Sequence, residues 1–117
     1  MLNQVVLVGR LTKDPEVQNI KGEKSVSTIT LAVQRPFKNS DGIYETDFIN
    51  CILWDSVAKN TGEYCHKGDV VGVKGRLQLD TFENKDGEKV SKLSVIGEKV
   101  TFLSHKKEEP QQEKQDR

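Results

Sequence analysis

Two large aromatic side chains stand in the stretch Asp47–Trp54 at a spacing that suits the binding of flat ligands. The stretch is rich in β-branched and aromatic residues and holds neither Gly nor Pro, which predicts a β-strand. Because successive side chains of a strand point to opposite faces, Phe48 and Trp54 share one face and small apolar residues share the other: Ile49, Cys51 and Leu53. An exposed face of this kind can stack nucleobases, at about 1–3 kcal/mol per base. Taken alone, the stretch fits a strand buried on both faces equally well.

Further aromatic and basic residues could extend such a surface. Phe37 lies in a predicted loop before this strand, and Phe82 lies beyond the fourth predicted strand. A single Phe is more often a core residue, and Phe102, in the last apolar run, is assigned to the core. Four aromatic residues on outward faces or loops favour binding instead. The basic residues that could follow a phosphate backbone lie on the fourth strand or near strand ends: Lys74, Arg76, Arg10, Lys13, Arg35 and Lys38.

Length and charge limit the classes of protein to which this chain can belong. The 117 residues suffice for one domain, and 18 basic residues balance 18 acidic ones. A nucleic-acid binder usually carries a basic excess, so this neutrality counts against DNA binding. No apolar run could span a membrane, and the start Met1–Gln4 lacks the basic residues of a signal peptide. These features predict a cytoplasmic protein, in which the two cysteines are buried thiols rather than a disulfide.

Catalytic and metal-binding motifs are missing from the sequence. Cys51 and Cys65 lack the spacing of a zinc or redox site, and no phosphate-cradling glycine motif or nucleophile elbow occurs. His66 and His105 are assigned as solvated side chains. Strand alternation puts Cys51 in the core, where it cannot act as a nucleophile. The sequence therefore predicts a non-enzymatic protein without a cofactor or metal.

The predicted elements are five strands and one short helix. Asp55 or Ser56 begins the helix and Gly68 caps its end. Two Asp-Gly pairs mark turns, residues 16–25 are predicted as a loop, and Pro36 is expected to end the second strand. The strands are predicted near 5–11, 26–34, 47–54, 70–79 and 89–103.

The order of these elements predicts the fold class. A helix between the third and fourth of five strands indicates an all-β, five-stranded oligonucleotide-binding (OB-fold) Greek-key barrel. The alternative is an open antiparallel sheet with one helix packed across it, but barrel closure removes exposed edges. The barrel domain is predicted over residues 1–104. Residues 105–117 carry Lys, Glu, Gln and Asp without apolar residues and are predicted to form a disordered tail.

Several motifs resemble those of the bacterial single-stranded-DNA-binding protein (SSB) family. They are Leu2–Leu11, Asp14-Pro15-Glu16, Ile29–Val33, Asp47–Cys51, and Lys67-Gly68 followed by Gly75–Gln78. The resemblance covers residues 1 to about 103. It implies an OB-fold homotetramer that binds single-stranded DNA regardless of sequence, in replication, recombination or repair, within the nucleoid. It also implies that the family's four stacking aromatics are Phe37, Phe48, Trp54 and Phe82.

Some positions depart from the family pattern. Many relatives have a basic residue followed by an aromatic one where this chain has Gln18-Asn19, and basic residues where it has Asp55-Ser56 and Asp80. The tail also lacks the acidic tip, closing with Pro-Phe, through which many members recruit replication proteins. The second hypothesis is therefore an OB-fold interaction module that binds DNA weakly and mainly binds a protein partner.

Overall fold

The computed structural model describes residues 1–105, so the predicted tail lies outside the described residues except for His105. Six strands and one helix follow in chain order. They are β1 (Val5–Leu11), β2 (Gln18–Ile20), β3 (Lys24–Lys38), β4 (Tyr44–Trp54), α1 (Asp55–Tyr64), β5 (Val70–Glu83) and β6 (Lys89–Ser104). Within residues 1–105, no helix is long and apolar enough to cross a membrane.

Five of the strands close into a barrel. The sheet runs β1–β5–β6–β4–β3, and β3 returns to β1 through the pairs Arg10–Ala32 and Leu11–Leu31. The pairs are antiparallel except for β4 with β6, which are parallel. The helix α1 lies between the third and fourth barrel strands. This arrangement confirms the predicted OB-fold barrel.

The barrel interior is filled by the inward face of each strand. Helix α1 packs against one end of the barrel and contributes Ala58 and Thr61 to the buried set. Burial raises the pKa of both free thiols to about 11, so they stay protonated at neutral pH. The central side chains of the core are Leu11, Ile29, Leu31, Cys51, Leu53, Cys65, Val71 and Val73.

The two predicted Asp-Gly turns have the same hydrogen-bond pattern. In the first, the Asn39 N–H donates to the Ile43 carbonyl at 2.8 Å, and the Gly42 N–H donates to the Asn39 carbonyl at 3.0 Å. The Asn39 side-chain oxygen accepts two more backbone N–H groups. Gly42 has a φ of +78°, which L side chains rarely adopt. The second turn repeats these bonds with Asn84, Gly87 and Glu88 in the same roles.

The second barrel strand is longer than predicted, and residues 16–25 are not all loop. Gln18–Ile20 forms β2, which pairs with the start of β3. At its other end β3 continues through Pro36 to Lys38. The register shifts between Gln34 and Lys38, so Pro36 sits in an irregular stretch where its missing N–H costs no regular ladder bond.

The predicted helix exists, but both predicted caps are wrong. The residue at the N-cap is Trp54, and no side chain caps the helix there. The Asp55 carboxylate instead accepts a bond from the Ser25 N–H at 3.2 Å, tying the helix start to β3. The helix ends at Tyr64, well before Gly68, which lies in the turn that precedes β5.

Two side chains near the end of β6 also differ from prediction. Phe102 is exposed rather than in the core, because β6 pairs with β4 only at Val95–Gly97 and beyond that point lies against α1. The Phe102 ring centroid is 6.0 Å from that of Tyr64 on α1. His105 is exposed as predicted, yet its Nδ1 lies 3.2 Å from Oδ2 of the buried Asp69. The end of β6 thus packs over the end of the helix.

Candidate nucleic-acid interface

The outer face of the β3–β4 hairpin carries the two central aromatic residues. In an antiparallel pair, directly opposite residues have side chains on the same face. Phe48 is opposite Ala32, and Trp54 is opposite Val26. Two cross-strand pairs lie between them, Thr30–Asn50 and Thr28–Ile52. These side chains are small or medium in size, so the two rings project farther from the sheet than the surface between them.

Both rings are open to solvent. Phe48 is 67% exposed and Trp54 39% exposed, while Cys51 and Leu53 on the inward face are fully buried. The strand is therefore buried on one face only. The two rings are six positions apart along β4, which places their Cα atoms about 20 Å apart at the usual rise of a strand. We call the outer face of β3–β4 between Phe48 and Trp54 the platform.

The other two predicted aromatics are exposed on the hairpins rather than on the platform itself. Phe37 is 62% exposed near the end of β3, and Phe82 is 50% exposed near the end of β5, opposite Val90. Around the barrel, β5 is separated from β4 by β6 on one side and by β1 and β3 on the other. The structure thus brings Phe48 and Trp54 onto one surface and places Phe82 on a different wall.

Two of the six predicted cations flank the platform. Arg10 lies opposite Ala32, which in turn lies opposite Phe48, so the three share one face. The Arg10 Nη1 donates to the Gly68 carbonyl at 2.9 Å, which orients the guanidinium and leaves other donors available. Lys13 lines a groove beside Val26, next to Trp54.

Arg35 is already engaged with carboxylates. It bonds both oxygens of Asp47, and Glu45 lies 3.4 Å from its Nη1. The hydrogen bond from Arg35 lowers the pKa of Asp47, and the same bond raises the pKa of Arg35. Lys38 is exposed, with its Nζ 5.6 Å from the centre of the Tyr44 ring. The hairpin cations are thus partly compensated.

The β5 cations stand on the outward face of that strand. Lys74 is exposed, opposite Lys99, whereas Arg76 pairs with Glu98 at 3.5 Å. Arg76 also donates to the Gln78 side chain at 2.9 Å, and Gln78 donates in turn to Asp80 at 3.2 Å. A chain of polar contacts therefore runs from Arg76 to Asp80, and Glu98 compensates the charge of Arg76, whereas Lys74 and Lys99 place two positive charges opposite each other.

The platform includes residues that the sequence interpretation did not single out. Thr30 donates to the Asn50 Oδ1 at 2.7 Å, which leaves the Asn50 amide hydrogens facing outward between the rings. Gln18 joins the same face through β2. Strand alternation alone would have placed Thr30 and Asn50, but Gln18 required knowledge that β2 forms. Across residues 1–105, no group of three or more His, Cys, Asp or Glu side chains is arranged to hold a metal ion.

A closed OB-fold barrel that exposes aromatic rings on an outer sheet face belongs to the oligonucleotide-binding class. Comparison with known proteins narrows this class. The model of the "Single-strand binding protein family" matches residues 2–103, and the chain belongs to that family.

Individual relatives are similar over most of this chain. "Single-stranded DNA-binding protein B" of Bacillus subtilis is 47% identical over 109 residues, which is 93% of this chain and 96% of that protein. "Single-stranded DNA-binding protein 3" of Listeria innocua is 47% identical over 91% of this chain and 66% of its own length. "Single-stranded DNA-binding protein A" of Bacillus subtilis is 49% identical over 91% of this chain and 62% of its own length. The chain thus spans nearly the whole of the first relative and about two thirds of the other two.

Proposed function

We propose that this chain binds and protects single-stranded DNA regardless of sequence, as a non-enzymatic cytoplasmic protein of replication, recombination or repair. The observation that carries the proposal is the exposure of Phe48 and Trp54 on one sheet face whose reverse side is the barrel core. Bases stack on these two rings and, farther along the hairpins, on Phe37 and Phe82.

Stacking explains binding that ignores sequence. Every base has a flat π face, so an aromatic ring gains about 1–3 kcal/mol from any of them. Large exposed aromatics on a monomer surface are unfavourable in water unless a partner covers them. The small residues between Phe48 and Trp54 leave space for nucleotides that link the two stacks.

The charges near the platform suggest that stacking outweighs phosphate contacts. Arg10 and Lys13 flank the rings, but Glu16 lines the same groove as Lys13, and Arg35 and Arg76 are paired with carboxylates. For single strands, log affinity falls by about 0.7 per unit of log salt for each neutralised phosphate. We therefore expect measurable binding with a shallow salt dependence.

Fluorescence anisotropy with labelled oligonucleotides tests this function. Single strands of two unrelated sequences should bind with similar affinity, and a duplex of the same length should bind far more weakly. Phe48→Ala should weaken binding by about tenfold, the equivalent of losing one stack. Tyr64→Ala is the matched control, because Tyr64 is 54% exposed but is the last residue of α1, off the platform.

The opposite result would favour the protein-binding module instead. That hypothesis predicts little or no binding of any single strand near physiological salt. It also predicts equal, small effects of Phe48→Ala and Tyr64→Ala.

We also propose that the chain assembles as a homotetramer. Among the described residues, β1 pairs with β3 only at its last two positions, so most of one edge is open to a second copy. Val6 and Val8 are exposed on β1, and Leu79 and Leu93, directly opposite each other on β5–β6, are exposed as well. Association of copies would cover these apolar side chains.

Sedimentation velocity tests the assembly. The sedimenting species should have about four times the chain mass of 13.2 kDa. Val8→Lys should shift it toward smaller species, whereas Ile43→Lys, at a similarly exposed apolar residue in the β3–β4 turn, should not. A wild-type protein that sediments as a monomer at micromolar concentration would contradict the tetramer.

A further inference from the structure

Three strands align a polar side chain, a small side chain and an aromatic ring. Gln18 on β2 lies directly opposite Val26 on β3, and Val26 lies directly opposite Trp54 on β4. Directly opposite side chains share a face, so Gln18 and Trp54 both lie on the outer surface with Val26 between them. At the usual strand spacing, their Cα atoms are about 10 Å apart.

A neighbouring hydrogen bond supports this orientation of Gln18. The next residue, Asn19, accepts a bond from the buried Ser25 hydroxyl at 3.0 Å. Asn19 therefore lies on the side of the sheet that the buried Ser25 faces. Because strand side chains alternate, Gln18 points outward.

Gln18 lines a groove of about 170 Å³ that is formed with Lys13, Glu16, Val26 and Thr28. Lys13 and Glu16 carry opposite charges, so the groove is neutral overall. A phosphate would gain little there, because Glu16 opposes the attraction from Lys13. An uncharged ligand with polar edges suits the groove better.

We propose that a nucleobase stacked on Trp54 extends over Val26 and presents its polar edge to the Gln18 side-chain amide. This inference rests on the proposed function and adds a base-edge contact to it. A primary amide carries one acceptor and two donors, and rotation of the amide plane exchanges them. Gln18 can therefore bond the donor–acceptor edge of any base, so the contact adds affinity without selecting sequence.

At Phe48, the corresponding row of three directly opposite residues has different chemistry. There Arg10 lies opposite Ala32, which lies opposite Phe48. Arginine is a charged donor without an acceptor, so it suits phosphate oxygens or acceptor-rich edges. The platform thus has a charged end at Phe48 and a neutral end at Trp54.

Replacing the amide by a carboxylate tests the edge contact. Gln18→Glu keeps the shape but leaves only acceptors, which can bond the amino group of cytosine and oppose the carbonyl oxygens that flank thymine N3. The ratio of oligo-dC affinity to oligo-dT affinity should therefore rise at least about fivefold over wild type. Gln18→Leu should instead weaken both oligonucleotides without changing that ratio.

Gln4→Glu is the charge-matched control, because Gln4 is exposed just before β1 and outside the groove. Thermal unfolding of each variant checks that it is folded. If Gln18→Glu changes the dC-to-dT ratio no more than Gln4→Glu does, while wild type binds both oligonucleotides, the edge contact is refuted and the proposed function stands. If wild type binds neither oligonucleotide, the proposed function fails and this inference fails with it.

Discussion

Arg35 holds Asp47 through two hydrogen bonds, from Nε to Oδ2 at 3.0 Å and from Nη2 to Oδ1 at 2.9 Å. Asp47 lies opposite Val33, on the face of the hairpin that Phe48 points away from. The pair therefore joins β3 to β4 behind the exposed ring. Arg35 stays a predicted phosphate contact, but its charge is shared with this carboxylate.

This ion pair makes the stability of the hairpin depend on pH. The bond from Arg35 lowers the pKa of Asp47 below its ordinary 3.8 in the folded state. A lowered folded pKa gives stability that is present above 3.8 and is lost as the pH falls through the lowered value. Asp47→Asn should therefore lower the melting temperature at pH 7, and the difference from wild type should vanish in strong acid.

Circular dichroism melts over a pH series measure this effect. Asp41→Asn removes the same charge from the turn of the same hairpin and serves as the control. Equal melting curves for Asp47→Asn and Asp41→Asn at every pH would show that the Arg35 pair does not stabilise the fold.

Asp80 should limit DNA affinity if the strand passes the outer wall of β5. It lies there with Lys74 and Arg76 and accepts a bond from Gln78. Asp80→Arg removes a repulsive charge and adds an attractive one, so affinity should rise and the salt slope should steepen by about 0.7. Asp116→Arg makes the same charge change in the tail. Both variants are measured by anisotropy at several salt concentrations. Equal effects of the two would show that the outer face of β5 has no special role in DNA binding.

The alternation of β4 was predictable because its pattern is local. Ile49, Cys51 and Leu53 alternate with Phe48 and Trp54 along the strand. In a closed barrel, one face of a strand lies against the core and the other faces solvent. The two Asp-Gly turns were equally clear, since only a few residue types accept the required backbone angles. The order of the elements predicted the OB-fold barrel and the family resemblance implied the same fold, which the strand pairing and the family match confirm.

The remaining features depend on contacts between distant segments. β2 is a strand because the long β3 offers it an edge, and its own sequence is mostly polar. The Asp55 side chain bonds Ser25 rather than the helix end, a choice that sequence spacing cannot reveal. Phe102 has core-like neighbours in sequence, but it follows the part of β6 that pairs with β4, and its ring lies against Tyr64 on α1. Because the sequence did not predict β2, it did not predict that Gln18 lies beside the platform either.

The tail should be dispensable for folding and for binding short oligonucleotides. Residues 106–117 offer no large apolar anchor, and their basic and acidic residues balance. Deleting them should leave the melting temperature and oligo-dT affinity unchanged. Deleting His105 as well should cost about 0.5–1 kcal/mol of unfolding free energy, because its contact with Asp69 is lost.

Chemical denaturation of the two truncated chains separates these effects. His105→Ala in the full chain is the matched control, and it should reproduce the stability loss of the longer deletion. A large loss of DNA affinity on removing 106–117 alone would show that the tail contributes directly to the site.

The fluorescence of Trp54 tests the central claim most directly, because the chain has one tryptophan and it stands on the platform. Titration with oligo-dT should quench its emission to a saturating limit, since the stacked base covers the exposed indole. Phe48→Ala should shift the same quenching curve to higher oligonucleotide concentration, and Tyr64→Ala should leave it in place. Emission that stays unchanged while anisotropy shows the DNA bound would contradict the account, because the DNA would then pass elsewhere on the barrel.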